Sequence, residues 1–206
     1  ILNLGTLLIS LQSYNWLLKH KHATEFYLLM LSTLLGMFFM LSSSNLLMFY
    51  VGLELASIPL AALANFDLEK RRSSEAAMKY IMSSAFASGL LLFGISMMYG
   101  VTGTVSFTEL QTAASDQPLF LFSFILILAG FGFKISAVPF HLWTADVYEG
   151  SPIAVTSYLS VISKGSMIFA MTTVLFTVFK SLIFQWYNDG NIHRYRIKIL
   201  FQVSSF

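Results

Sequence analysis

Residues 26–66 form a run of 41 positions in which Glu54 is the only acid or base. About 20 apolar residues cross a hydrocarbon core about 30 Å thick, so this run must be two membrane-spanning helices. The polar hinge Ser42-Ser43-Ser44-Asn45 divides them and leaves Glu54 near the middle of the second. The rest of the chain fits a bilayer equally well. Only 11% of its 206 residues are charged and its mean hydropathy is +0.72, whereas soluble domains carry about 25% charged residues. A net charge of +2 spread over short clusters is too weak for a nucleic-acid partner. The lack of cysteine excludes disulfides, thiolate metal sites and iron–sulfur clusters within the chain.

Taken in order, the pattern predicts an all-α polytopic transmembrane bundle of about six spans. The first is 1–18, uncharged and ending with Trp16 beside Lys19-His20-Lys21-His22, an aromatic and basic flank suited to a membrane surface. Then come 26–42 and 45–65, a solvated loop Asp67-Leu68-Glu69-Lys70-Arg71-Arg72, and 75–100, rich in small residues that let helices approach closely. Residues 101–117 read as a polar surface connection. A single helix over 118–145 would be about 42 Å long, so it is expected to break near Pro139, giving 118–139 and a half-helix 140–150. The last span is 153–179, followed by a divergent basic tail, 180–206, too polar for a seventh helix. Lys19, Lys21, Lys70, Arg71 and Arg72 share one side of the threaded chain, which marks it as the cytoplasmic or equivalent side, although the basic tail falls opposite. The chain opens on Ile1 with neither a start methionine nor the basic region of a signal peptide, so a fragment of a longer protein is expected.

Function is expected where ionisable groups sit inside the spans, because hydrocarbon solvates them poorly. Lys134 stands alone in the uncharged run 117–145, and Pro139 follows it by five positions. Glu54 and Pro59 repeat that spacing, so both prolines are candidate helix breaks beside a buried charge. Glu54 and Lys134 are natural partners. At about 7 Å and an effective dielectric of about 20 they would attract by about 2.4 kcal/mol, enough to couple their proton occupancies. A purely structural ion pair that fixes helix packing is the other reading. Lys164 is the only charge in its span, with Ser160 and Ser157 four and seven positions earlier on one predicted polar stripe. Lys79 follows Glu75 by four, the order of a surface ion pair. His141 either titrates near neutrality or caps backbone carbonyls.

Several segments together resemble one family. They are Phe49-Tyr50-Val51-Gly52-Leu53-Glu54-Leu55, Ser73-Ser74-Glu75-Ala76-Ala77-Met78-Lys79-Tyr80, Phe131-Gly132-Phe133-Lys134, Val138-Pro139-Phe140-His141-Leu142-Trp143-Thr144-Ala145-Asp146 and Ser160-Val161-Ile162-Ser163-Lys164. They resemble the subunit N (chain 2) family of antiporter-like membrane subunits in proton-pumping NADH:quinone oxidoreductase, respiratory complex I. The likeness runs over about residues 1–178. It implies the first half of a fold built from two inverted five-helix repeats with broken helices. It also implies that Glu54 is the carboxylate paired with the broken-helix lysine, Lys134, that Lys164 is the relay lysine of the next helix, and that Lys79 lies on the axis between them. Measured against the family, the first two helices and the whole second repeat, with its distal lysine, are expected to be missing. The tail departs from the family, although Asn191-Ile192-His193-Arg194 is faintly similar to a motif found further on in it.

The resemblance thus implies a proton-translocating membrane-arm subunit of a respiratory, quinone-reducing translocase, with no redox chemistry and no cofactor of its own. NADH, FMN, iron–sulfur clusters and quinone would sit in partner subunits, and other antiporter-like subunits would be its neighbours. The expected location is the bacterial plasma membrane or, alternatively, the mitochondrial inner membrane. A subunit of a multisubunit cation/proton antiporter and a non-conducting structural piece are the rival readings. No nucleophile–base pair, phosphate loop, dinucleotide fingerprint or metal-ligand spacing is present.

Overall fold

The computed structural model describes residues 1–18, 20–113 and 117–179. Its helices are α1 (Leu2–Leu17), α2 (Ala23–Leu41), α3 (Leu46–Ala64), α4 (Arg71–Thr102), α5 (Phe107–Ala113), α6 (Pro118–Ile135), α7 (Leu142–Gly150), α8 (Ile153–Ser157) and α9 (Lys164–Val178), with a π-helical turn, Tyr158–Ser163, joining the last two. Among the described residues five helical stretches are long and apolar enough to cross a membrane: α2, α3, α4, α6 and the continuous 153–178 rod. At 16 residues α1 is shorter than these. The basic tail, 180–206, lies outside the described residues, as does Lys19.

Two helix pairs form the body. The α2–α3 pair is close because Gly36 faces the backbone of Ala56 and Gly52 that of Met40, where any Cβ would collide with main chain. The α4–α6 pair is the other, and α9 runs beside α5 and α6. Asn45 begins α3 by accepting the Met48 amide at 2.7 Å. Apolar packing gathers in two clusters. One, around Phe49, Leu91, Phe120, Phe124 and Ile127, lies toward α5; the other, around Phe26, Met30, Leu60, Tyr80 and Tyr158, lies toward the loop after α3. Many large apolar side chains on the outside of α1 to α4 and α9 remain exposed, as a bilayer or partner helices require.

At the loop ends, His20 and Lys70 both approach Asp67, at 3.6 Å and 2.7 Å. The α1–α2 and α3–α4 connections therefore share one end of the bundle. At the other end Leu46 and Phe107 amides donate to Val105 and Ser44 carbonyls.

The structure corrects several expectations. The connection 101–117 contains α5, whose Phe107 and Leu110 are buried, so this segment packs on the bundle and is not a plain surface loop. Helix α4 starts at Arg71, so part of the anticipated loop is helical, with Ser73 Oγ bonded to the Ala64 carbonyl. Pro59 breaks nothing: α3 runs through it to Ala64, since one missing ladder bond is tolerable when neighbouring helices hold the rod on both sides. The break in the fifth span also comes before its proline. Helix α6 ends at Ile135 with Ser136 in the left-handed region (φ 61°, ψ 40°), its amide on the Phe133 carbonyl and the Ala137 amide on that of Gly132. That is a Schellman closure, and the cis Val138–Pro139 peptide lies in the turn that follows.

Candidate proton site

The α6 closure leaves Lys134 in the last turn of its helix. Its side chain is only 10% exposed and reaches across to α3 and α4. There its ammonium donates to Ser57 Oγ at 2.9 Å and Ser84 Oγ at 2.6 Å, and lies 3.8 Å from Glu54 Oε1. Glu54 in turn accepts a hydrogen bond from Ser88 Oγ. Helical spacing explains the set: Ser57 is three positions after Glu54, and Ser84 and Ser88 are four apart, so each pair shares a helix face. The acid and amine approach more closely than the anticipated 7 Å, and at the same effective dielectric the attraction is about 4 kcal/mol. Yet 3.8 Å is an ion pair without a direct hydrogen bond. The serines hold the ammonium, and the carboxylate only biases it.

Beside Lys134 lies a cavity of about 40 Å³, lined among others by Met37, Ala56, Tyr80, Ser83, Tyr148 and Lys164. Such a space has room for about two or three waters. It draws its walls from both apolar clusters and sits where they meet. Lys164, the first residue of α9 after the π turn, enters it with its ammonium 5.0 Å from the Tyr148 ring and 6.0 Å from the Trp143 ring. The stripe expected from Ser160 and Ser157 does not form. The π turn changes the register, leaves Ser160 exposed and brings Ser163 and Ser166 to the cavity instead.

Lys79 is 42% exposed and binds two acids, Glu75 Oε1 and Asp146 Oδ2, both at 2.7 Å. The local pair is as anticipated, but the bond to Asp146 ties α4 to the half-helix α7. Arg72 and Glu149 add a looser exposed contact at 3.4 Å between the same elements. This clamp borders an open cleft of about 370 Å³ whose walls include Ser83 and Trp143, residues that also line the inner cavity. His141 is exposed at the head of α7, makes no side-chain cap and does not line the cavity. Among the described residues no group of His, Cys, Asp or Glu is arranged to hold a metal ion.

Sequence reasoning missed Asp146, Tyr148 and the serines as ligands. For Ser57 and Ser84 a signal existed, since each is a helical neighbour of a charged or hydroxyl-bearing position. For Asp146 none did, because its partner lies 67 positions away.

Comparison with known families decides the broader question. The model of the NADH:quinone oxidoreductase/Mrp antiporter transmembrane family matches residues 43–188. The chain belongs to this family. Its similar relatives include the NADH-quinone oxidoreductase subunit N of Azobacteroides pseudotrichonymphae, 48% identical over 191 residues, and that of Phocaeicola vulgatus, 48% identical over 190. These alignments cover 91% and 90% of this chain but 40% of each relative, so the chain spans about two fifths of their length. Among solved structures it is similar to a chain of respiratory complex I from Thermus thermophilus with bound aureothin (TM-score 0.71, 36% identity, 82% of this chain and 38% of that one). It is also similar to one of the Mrp complex from Dietzia sp. DQ12-45-1b (TM-score 0.68, 28% identity, 74% and 29%). The all-helical, membrane-embedded antiporter-like architecture follows from the family match and these likenesses together.

Proposed function

We propose that this chain carries protons through the bilayer as part of an antiporter-like subunit of a proton-pumping NADH:quinone oxidoreductase. The path runs through Glu54, Lys134 and Lys164, with Lys79 at the outer cleft. The observation that carries the reading is the meeting of Glu54, from α3, with Lys134, from the broken α6, at the edge of a cavity that also receives Lys164. Stretching the pair from 3.8 Å to about 7 Å removes about 2 kcal/mol of attraction, more than tenfold in an equilibrium. The pair is thus a switch that decides whether Lys134 keeps its proton or passes it to the cavity. The Schellman end at Ile135 makes such movement cheap, because the helix stops one residue beyond the lysine.

The named relatives and the complex I likeness support bacterial plasma membrane as the location and other membrane-arm subunits as partners. NADH, flavin, iron–sulfur clusters and quinone are assigned to those partners, and this chain acts as a non-catalytic subunit of the translocase. Moving a charge against 100 mV costs about 2.3 kcal/mol, which the partners' redox step supplies. The test is proton uptake by inverted membrane vesicles bearing the assembled complex. Glu54→Gln or Lys134→Met is expected to lose most pumping per NADH oxidised with the complex still assembled, and unchanged pumping would remove the pair from the path.

The likeness to the Mrp complex favours one second reading, cation/proton exchange. Sodium- or potassium-dependent proton exchange in vesicles without NADH would select it.

A further inference from the structure

The Tyr148 hydroxyl is buried and has no hydrogen-bond partner among the described residues, an expensive state for a phenol unless water serves it. It belongs to a side chain that lines the inner cavity, and its ring supports the Lys164 ammonium at 5.0 Å. Tyr80 lines the same cavity. Lys134 enters from α6 with two of its three donors already on Ser57 and Ser84, which leaves one N–H for a water. Lys134 and Lys164 both line this cavity, which has room for about two or three waters.

We infer that Tyr148 is a positioning residue whose hydroxyl holds the water that bridges Lys134 and Lys164. The inference rests on the proton-path reading above. In the transfer, the Lys134 ammonium releases one proton to the nearest cavity water, a proton leaves the far water for a neutral Lys164 amine, and the waters are left reoriented. Tyr148 neither gains nor loses a proton; its O–H fixes the file so that the hop has one geometry. The half-helix is thereby part of the path, since α7 supplies both this hydroxyl and the clamp to Lys79.

Tyr148→Phe in the assembled complex tests this, because it keeps the ring beside Lys164 and removes only the oxygen. Pumping per NADH, measured in inverted vesicles, is expected to fall about fivefold, the consequence of losing one hydrogen bond worth about 1 kcal/mol. The solvent deuterium effect on pumping is expected to rise, since proton transfer becomes limiting. Unchanged pumping overturns the inference, and so does slower pumping with an unaltered deuterium effect, which would mean lost packing. Glu54→Gln, run alongside, separates the two levels. If it abolishes pumping while Tyr148→Phe does nothing, only the water bridge falls; if it does nothing, the underlying path falls and the bridge with it.

Discussion

Lys134 shows how one residue can be costly and kept. Its ammonium is nearly enclosed, yet it has two hydroxyl acceptors and an acid at 3.8 Å. Removing one hydroxyl should therefore matter less than removing the acid. Ser84→Ala is expected to slow pumping by a few fold, in line with about 1 kcal/mol for one hydrogen bond, and vesicle proton uptake at matched NADH oxidation checks it. Legibility at this scale was uneven. Glu54, Lys134 and Lys164 stand out in sequence because a charge in an apolar run is rare. Serines in membrane helices are common packing residues, so nothing in their own identity marks Ser57 and Ser84 as the lysine's ligands or Ser88 as the donor to Glu54; only helical spacing hints at it. Asp146 and Tyr148 become visible only when the chain folds α7 against α4 and the cavity.

The helix break at α6 rests on a residue that strains to make it. Ser136 holds φ 61°, a conformation glycine takes freely and β-branched residues resist. Its hydroxyl accepts from Thr144 Oγ1 at 2.6 Å, which ties the closure to α7. Ser136→Val is expected to cut the yield of assembled complex, whereas Ser136→Gly keeps the closure and leaves the yield close to the parent; native gel electrophoresis of solubilised membranes reads both. The α2–α3 crossing is equally specific. Gly52→Val drives a side chain into the Met40 backbone, an overpacking worth about 1–3 kcal/mol, and should lower assembly more than Pro59→Ala, which changes a proline that α3 already accommodates. The break was legible from Lys134 and Pro139 because a long apolar run must be interrupted somewhere. Its position was not, since the closure depends on Ser136 adopting a conformation unusual for serine. The π turn before Lys164 was invisible too: a serine every three or four positions reads as an α-helical stripe, and one extra residue per turn moves Ser160 out and Ser163 in.

At the scale of the molecule, two apolar clusters leave a polar seam between them, and Lys134 and Lys164 open onto it. That partition was legible in outline, as three spans with one charge each, Glu54, Lys134 and Lys164, because hydrophobicity fixes what lies in the bilayer. The meeting of the Glu54 and Lys134 spans was legible from their charges; which other spans meet was not, because contacts between helices depend on glycine crossings and register. Joint apolar replacement of Glu54 and Lys134 separates a conducting pair from a merely structural one, since only the second tolerates it. The most direct measurement is proton uptake per NADH in vesicles carrying Glu54→Leu together with Lys134→Met in the assembled complex. The doubly substituted complex is expected to form normally and no longer to pump through this chain. Assembly with undiminished pumping would contradict that.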